Sequence, residues 1–108
     1  MNKVNLLIIL IMVILVILFL FLIVYPKIVL KCIGRNSEFY TQLGCNLCDT
    51  QLNELGKNQK EIKIINCWNQ GDKCNDINYT PAWKIKGIKY EGFFNIKELK
   101  EMTGCGLF

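Results

Sequence analysis

The sequence predicts a small α/β domain behind a single N-terminal transmembrane helix. Three observations carry that reading. They are an unbroken apolar run at residues 6–25, alternating strand-like and helix-like periodicities through residues 37–108, and the cysteine pair in GCNLCDT, residues 44–50.

The apolar run, LLIILIMVILVILFLFLIVY, holds neither a charge nor a side-chain amide. At 1.5 Å per residue its helix spans about 30 Å, the thickness of a bilayer's hydrocarbon layer. A cleaved signal peptide has a shorter apolar stretch, about 7 to 15 residues, followed by small residues. Here the run ends in Tyr25-Pro26-Lys27. The expected organisation is an anchor over residues 1–27, a juxtamembrane stem over 28–36 and one domain over 37–108. A domain of that length can enclose one small core and not two.

Charge separates these parts. Nine lysines in the domain balance nine acidic residues, so the net +4 of the chain resides on Lys3, Lys27, Lys31 and Arg35. Those positions suit lipid headgroups, and a neutral domain offers no electrostatic footprint for nucleic acid. Basic residues flank both ends of the helix, so charge bias only barely favours the C-terminal side as the cytoplasmic one and leaves the side of the membrane open.

Within the domain, EFYT (residues 38–41) reads as a strand. From Cys45 the pattern turns helical, with Leu47, Leu52 and Leu55 on one face and Gly56 as the stop. EIKIINCW (61–68) reads as a buried strand carrying Ile62, Ile64 and Ile65, and the polar NQGDKCNDINY that follows has room for one helical turn. AWKIK and IKYEGFF form two strands turning at Gly87. NIKELKEMTG closes the chain as a helix, capped by Asn95, with Ile96, Leu99 and Met102 on one face and Gly104 as its stop. Strand, helix, strand, short helix, strand, strand, helix is the minimal thioredoxin-like order, in which the helix bearing CNLC joins two parallel strands.

That order gives the cysteines a chemistry. Cys45 falls at a helix N-terminus, where free backbone N–H groups and the positive end of the dipole stabilise a thiolate, the attacking species. Cys48, one turn on, is placed to resolve the mixed disulfide. C-x-x-C also opens most zinc motifs. Pro81 sharpens the choice, because it stands just before the hairpin strand, where a cis bond would let Thr80 pair with an extended substrate chain. The plainer alternative is a proline at the first residue of an edge strand.

GCNLCDTQ, EIKIINCW, KCNDINYTPAW and IKYEGFFNIKELKEMTG together resemble the thioredoxin-like domain fused to bacterial and plant homologues of vitamin K epoxide reductase. The resemblance covers most of residues 38–104. It implies a thioredoxin-like fold, Cys45 and Cys48 as the redox pair, Pro81 as the cis-proline and Trp83 in the strand after it. The chain departs from that family in having one membrane helix in place of a multi-helix quinone-reducing portion. It also has Thr80 before the proline and Gly44 before the first cysteine.

Cys67 and Cys74 are a second candidate pair, able to bridge the loop around Gly71 as a structural clip or to pass a disulfide onward. Cys32 could carry a palmitoyl group or an intermolecular bridge, and an even cysteine count allows a Cys32–Cys105 bridge. Six cysteines favour an oxidising endomembrane compartment or an enveloped particle. Asn78-Tyr79-Thr80 is a glycosylation sequon whose use Pro81 should hinder.

Two rival classes compete with dithiol exchange. Cys45, Cys48, Cys67 and Cys74 could form a four-cysteine zinc module, although the second pair is spaced too widely for a zinc knuckle. A structural membrane or envelope protein with scaffold disulfides would need no proline opposite the pair. The chain contains no His and no phosphate loop, which removes most acid–base schemes. The expected function is a membrane-anchored thiol–disulfide oxidoreductase, with no cofactor and no metal. Its expected partners are cysteine-containing protein substrates, a redox partner that recycles the pair, and membrane lipid. Asn46-Leu47 between the cysteines lacks a charge to stabilise the thiolate, so a strongly oxidising pair is not expected.

Overall fold

The computed structural model describes residues 2–106. Helix α1 runs from Lys3 to Asn36, starting at Asn2, whose side chain accepts from the Val4 N–H. It is long and apolar enough to cross a membrane, and its most apolar window is wholly unburied. The stretch 28–36, expected as a stem, continues this helix through Pro26. Proline removes one helix hydrogen bond, and tertiary packing carries the chain past that gap. Val29, Leu30 and Ile33, spaced along one face, are buried.

At Ser37 the chain passes directly into strand β1, Ser37–Thr41. Helix α2 follows at Asn46–Leu55 and stops at Gly56, whose φ of +67° few other residues adopt. A 3-10 turn over Gly56–Glu61 leads to β2, Lys63–Asn66. A second 3-10 turn, Gly71–Cys74, precedes the hairpin of β3, Ala82–Ile85, and β4, Ile88–Glu91. Helix α3 spans Ile96–Thr103. The expected element order holds, while the strand expected over 61–68 contracts to four residues because the 3-10 turn takes its start.

The four strands form one mixed sheet in the order β2-β1-β3-β4. β1 is parallel to β2 and antiparallel to β3, with Phe39 opposite Ile64 and Trp83. Lys86 and Gly87 make the β3–β4 turn, both at positive φ. Alternation sends Phe39 to one face of the sheet and Tyr40 to the other.

The Phe39 face carries the main core. Val29, Leu30 and Ile33 of α1 join Phe39, Leu55, Ile62, Trp83, Ile85 and Leu99 there. The end of α1 is therefore part of the domain. Gly34 lies directly against the 3-10 turn, where any Cβ would collide with the Glu61 carbonyl oxygen. A disulfide between Cys32 and Cys105 closes a loop of sequence separation 73. Its geometry follows from α3, whose Asn95 and Glu98 form a capping box and whose Gly104 turns left-handed, bringing Cys105 back towards α1. Asn36 covers the bridge, with its amide donating to the Cys32 carbonyl at 2.9 Å and lying within 3.9 Å of both sulfurs.

Among the described residues, the opposite face is covered by a loop and not by an α-helix. Tyr40, Ile65 and Ala82 are covered by the loop that carries Cys67, Cys74 and Ile77. The Cys67–Cys74 disulfide clips this loop, and the Asp76 carboxylate binds Lys84 at 2.6 Å. Lys89 donates to the Asp76 carbonyl at 2.8 Å. A domain this small substitutes cross-links for a missing layer.

Two outcomes test these seams. Gly34→Ala should lower stability by about 1–3 kcal/mol through overpacking against the Glu61 carbonyl, measured by denaturant unfolding of the full chain in detergent. Unchanged stability would mean that α1 does not seat there. The Lys84 ammonium holds the Asp76 carboxyl below its usual 3.8, and Asp76 in turn holds Lys84 above 10.5. The acid's contribution is complete above pH 3.8 and is lost as pH falls through its lowered value. The lysine's contribution is lost only as pH rises through its raised one. Amide protection of residues 67–79, corrected for intrinsic exchange, should stay level from about pH 4 to about pH 10 and fall outside that window. Asp76→Asn should lower it within the window.

Candidate functional site

Three chain segments meet at the end of the sheet where β1 and β2 finish and β3 begins. The Cys67 N–H donates to the Thr41 carbonyl at 2.8 Å, and the Cys45 N–H to that of Gln42 at 3.3 Å. Cys45 is the N-cap of α2, with extended backbone, and its sulfur accepts the Cys48 N–H at 3.1 Å. Gly44 before it sits at φ +81°, a left-handed turn that aims the helix start at this position.

Cys45 and Cys48 form a disulfide. The two sulfurs are not equivalent. Cys45 is half-buried, whereas Cys48 is 0% exposed. Cys48 belongs to the buried line Cys48, Gln51, Leu55 on α2. That line corrects the expected face. Leu47 turns out to solvent and Leu52 is only partly covered, because the line that carries Gln51, hydrogen-bonded to Trp83, faces inward.

Thr80 and Pro81 lie opposite the pair. The Thr80–Pro81 bond is cis, and the Thr80 carbonyl oxygen is 3.6 Å from Cys45 Sγ. Pro81 is buried at the start of β3, and its carbonyl accepts the Gly92 N–H at 2.8 Å, which fixes it to the end of the hairpin. The sequence-selected residues Cys45, Cys48, Thr80 and Pro81 thus come together. Cys67 and Cys74 do not join them, since their bridge packs on the Tyr40 face. Among the described residues, no three His, Cys, Asp or Glu side chains converge as a metal site would require.

Gln51 is the supporting residue that sequence reasoning missed. It is fully buried, accepts from Trp83 Nε1 at 3.2 Å and from the Phe94 N–H at 2.9 Å, and donates to the Phe94 carbonyl at 2.8 Å. It ties α2, which starts after Cys45 and carries Cys48, to β3, which begins directly after Pro81. Its signal was available, since Gln51 stands three residues after Cys48 and four before Leu55 on one helical line.

Comparison with known proteins adds no relative. No protein-family model matches the chain, and no curated protein matches it.

Gln51→Ala should cost about 2 kcal/mol or more, because it strands the buried Trp83 and Phe94 groups without partners. Denaturant unfolding measures the loss. A cost under about 0.5 kcal/mol, typical of an exposed site, would remove this residue from the frame of the pair.

Proposed function

We propose that the protein is a membrane-anchored thiol–disulfide oxidoreductase of thioredoxin-like fold. The observation that carries this reading is the asymmetry of the pair. Cys45, partly exposed, caps a helix with its sulfur beside the Thr80 carbonyl, while Cys48 is wholly buried. The sheet order β2-β1-β3-β4, with α2 between its parallel strands and the proline at the head of β3, supports the fold assignment. The length and apolarity of α1 support the anchor.

In this mechanism the reduced Cys45 thiol loses its proton to solvent. The thiolate benefits from the Cys48 N–H already directed at its sulfur and from the helix dipole. It attacks one sulfur of a substrate disulfide, forming a mixed disulfide and releasing the other sulfur as a thiolate. Cys48 then gives up its proton and attacks Cys45, so that the Cys45–Cys48 bond forms and the substrate leaves with two thiols. Two electrons have passed from the pair to the substrate. Run backwards, the same steps oxidise a dithiol. Burial of Cys48 keeps it from external disulfides and reserves it for the second step. Thr80 and Pro81 position the substrate backbone next to Cys45. A separate redox partner recycles the pair.

Cys48→Ala should trap a mixed disulfide on Cys45 in glutathione buffer, seen as a glutathione adduct in the intact mass of the full chain. Cys45→Ala should trap none. If Cys45 stays unmodified across the buffer range in the Cys48→Ala chain, the pair is a scaffold bridge and the protein a structural one.

A further inference from the structure

Large apolar side chains at the surface are distributed unevenly in this domain. Beyond α1, those exposed are Leu43 at 69%, Leu47 at 48%, Trp68 at 66%, Tyr79 at 70% and Ile88. Ile88 opens β4 at the far end of the sheet. The other four lie on the three segments that meet at the end of the sheet where the Cys45–Cys48 pair stands. Leu43 precedes Cys45, Leu47 lies between the two cysteines, Trp68 follows Cys67, and Tyr79 precedes Thr80. Exposed apolar groups gathered at one place are informative where single ones are not.

The same segments are free of charge. No residue in 42–48, 66–71 or 77–83 is acidic or basic, although the domain carries nine of each. An occupant seated on these segments is therefore recognised through apolar contact, with the exposed Asp49 and Asp72 standing at their edges.

Trp68 is exposed, and the backbone that carries it is fixed. The N–H groups of Trp68, Asn69 and Gln70 all donate to Asn66, to its side chain at 2.9 Å or its carbonyl at 3.1 and 2.8 Å. The Cys67–Cys74 bridge closes the loop just behind it. A large aromatic ring held in solvent on an ordered turn loses little conformational entropy when something binds it.

We propose that Leu43, Leu47, Trp68 and Tyr79 are the docking rim of the exchange site. Its occupant is an extended polypeptide whose reacting cysteine is flanked by uncharged apolar or aromatic residues. The Cys67–Cys74 bridge serves to present Trp68 to that chain. This rests on the exchange reading above and names the substrate class of the same site. The apolar contact lies beside the sulfur that reacts, so docking and chemistry occur on one face, and charge next to a substrate cysteine excludes it.

The test uses the full chain in lipid nanodiscs, with the Cys45–Cys48 pair reduced and the Cys67–Cys74 and Cys32–Cys105 bridges shown intact by mass spectrometry. Three disulfide probes are compared by stopped-flow tryptophan fluorescence and quenched mass spectrometry. They are oxidised glutathione, a disulfide peptide with Leu and Phe flanking its cysteine, and the same peptide with Lys at those positions. The expected result is a preference of about tenfold or more for the apolar peptide over the lysine peptide. That ratio should fall towards one in Trp68→Lys and in Tyr79→Lys. Both sites are exposed, so neither change disturbs the core. The ratio should also fall in the Cys67→Ser/Cys74→Ser double variant once circular dichroism shows it folded. Its persistence there would overturn the role given to the bridge.

Reaction with glutathione but no preference between peptides would overturn the docking rim and leave the exchange chemistry standing. No reaction with any of the three probes would overturn the exchange reading itself. A concentration-dependent dimer of the unmodified chain that Trp68→Lys dissociates would make the occupant a second copy, and would overturn the proposal too.

Discussion

Everything in this molecule depends on one seam, the contact between the last turns of α1 and the sheet. A domain of this size has little apolar surface of its own to bury. Val29, Leu30 and Ile33 supply the missing layer over Phe39, Trp83 and Leu99. Gly34 permits backbone-to-backbone approach, and Cys32–Cys105 holds the far end of the chain to the same helix. With α1 in place, β1 is positioned at its head and α3 along its side. The C-terminal end of the sheet, with the Cys45–Cys48 pair, is what remains open.

Much of this could be read from the sequence because local signals act over short distances. Asn95 and Glu98 bound α3, Gly87 turns the hairpin, and the apolar run defines α1. Cys45, Cys48 and Pro81 could be linked because strand order alone brings a helix start and a strand start to one sheet end. What escaped was set by tertiary packing. Leu47 and Leu52 look like core positions by periodicity, yet the buried line runs through Gln51, whose amide makes three hydrogen bonds, to Trp83 of β3 and to Phe94 in the loop before α3. Residues 28–36 look like a charged stem, with Lys31 and Arg35, and their apolar stripe has meaning only against a sheet that follows later in the chain. The Cys32–Cys105 bridge was likewise only an arithmetical option, since nothing local joins residues so far apart in sequence.

The two faces of the sheet divide the work between them. One face is a packed core that also buries the inner cysteine, and Gln51 links that core to the loop before α3. The other is a thin cover made from a clipped loop, an aspartate and two lysines. The Lys84 ammonium stands over the Tyr40 ring, so the same cation that holds Asp76 also shields the small apolar cluster below it. Burial and the neighbouring Glu38 carboxylate push the Tyr40 hydroxyl upwards, so it stays protonated under that cover.

The seam at Gly34 also governs how the domain can move. With α1 set in a bilayer, there is no leash between span and domain, because the helix that crosses the lipid is the one that fills the core. Such a head swings only as far as the helix bends at Pro26. It turns about the membrane normal and drifts sideways with its helix. Its reach is a ring of fixed height, and an encounter becomes a search in two dimensions by a rigid probe. Under the exchange proposal, a partner would bring its sulfur to that height, through its own length or its own unfolding.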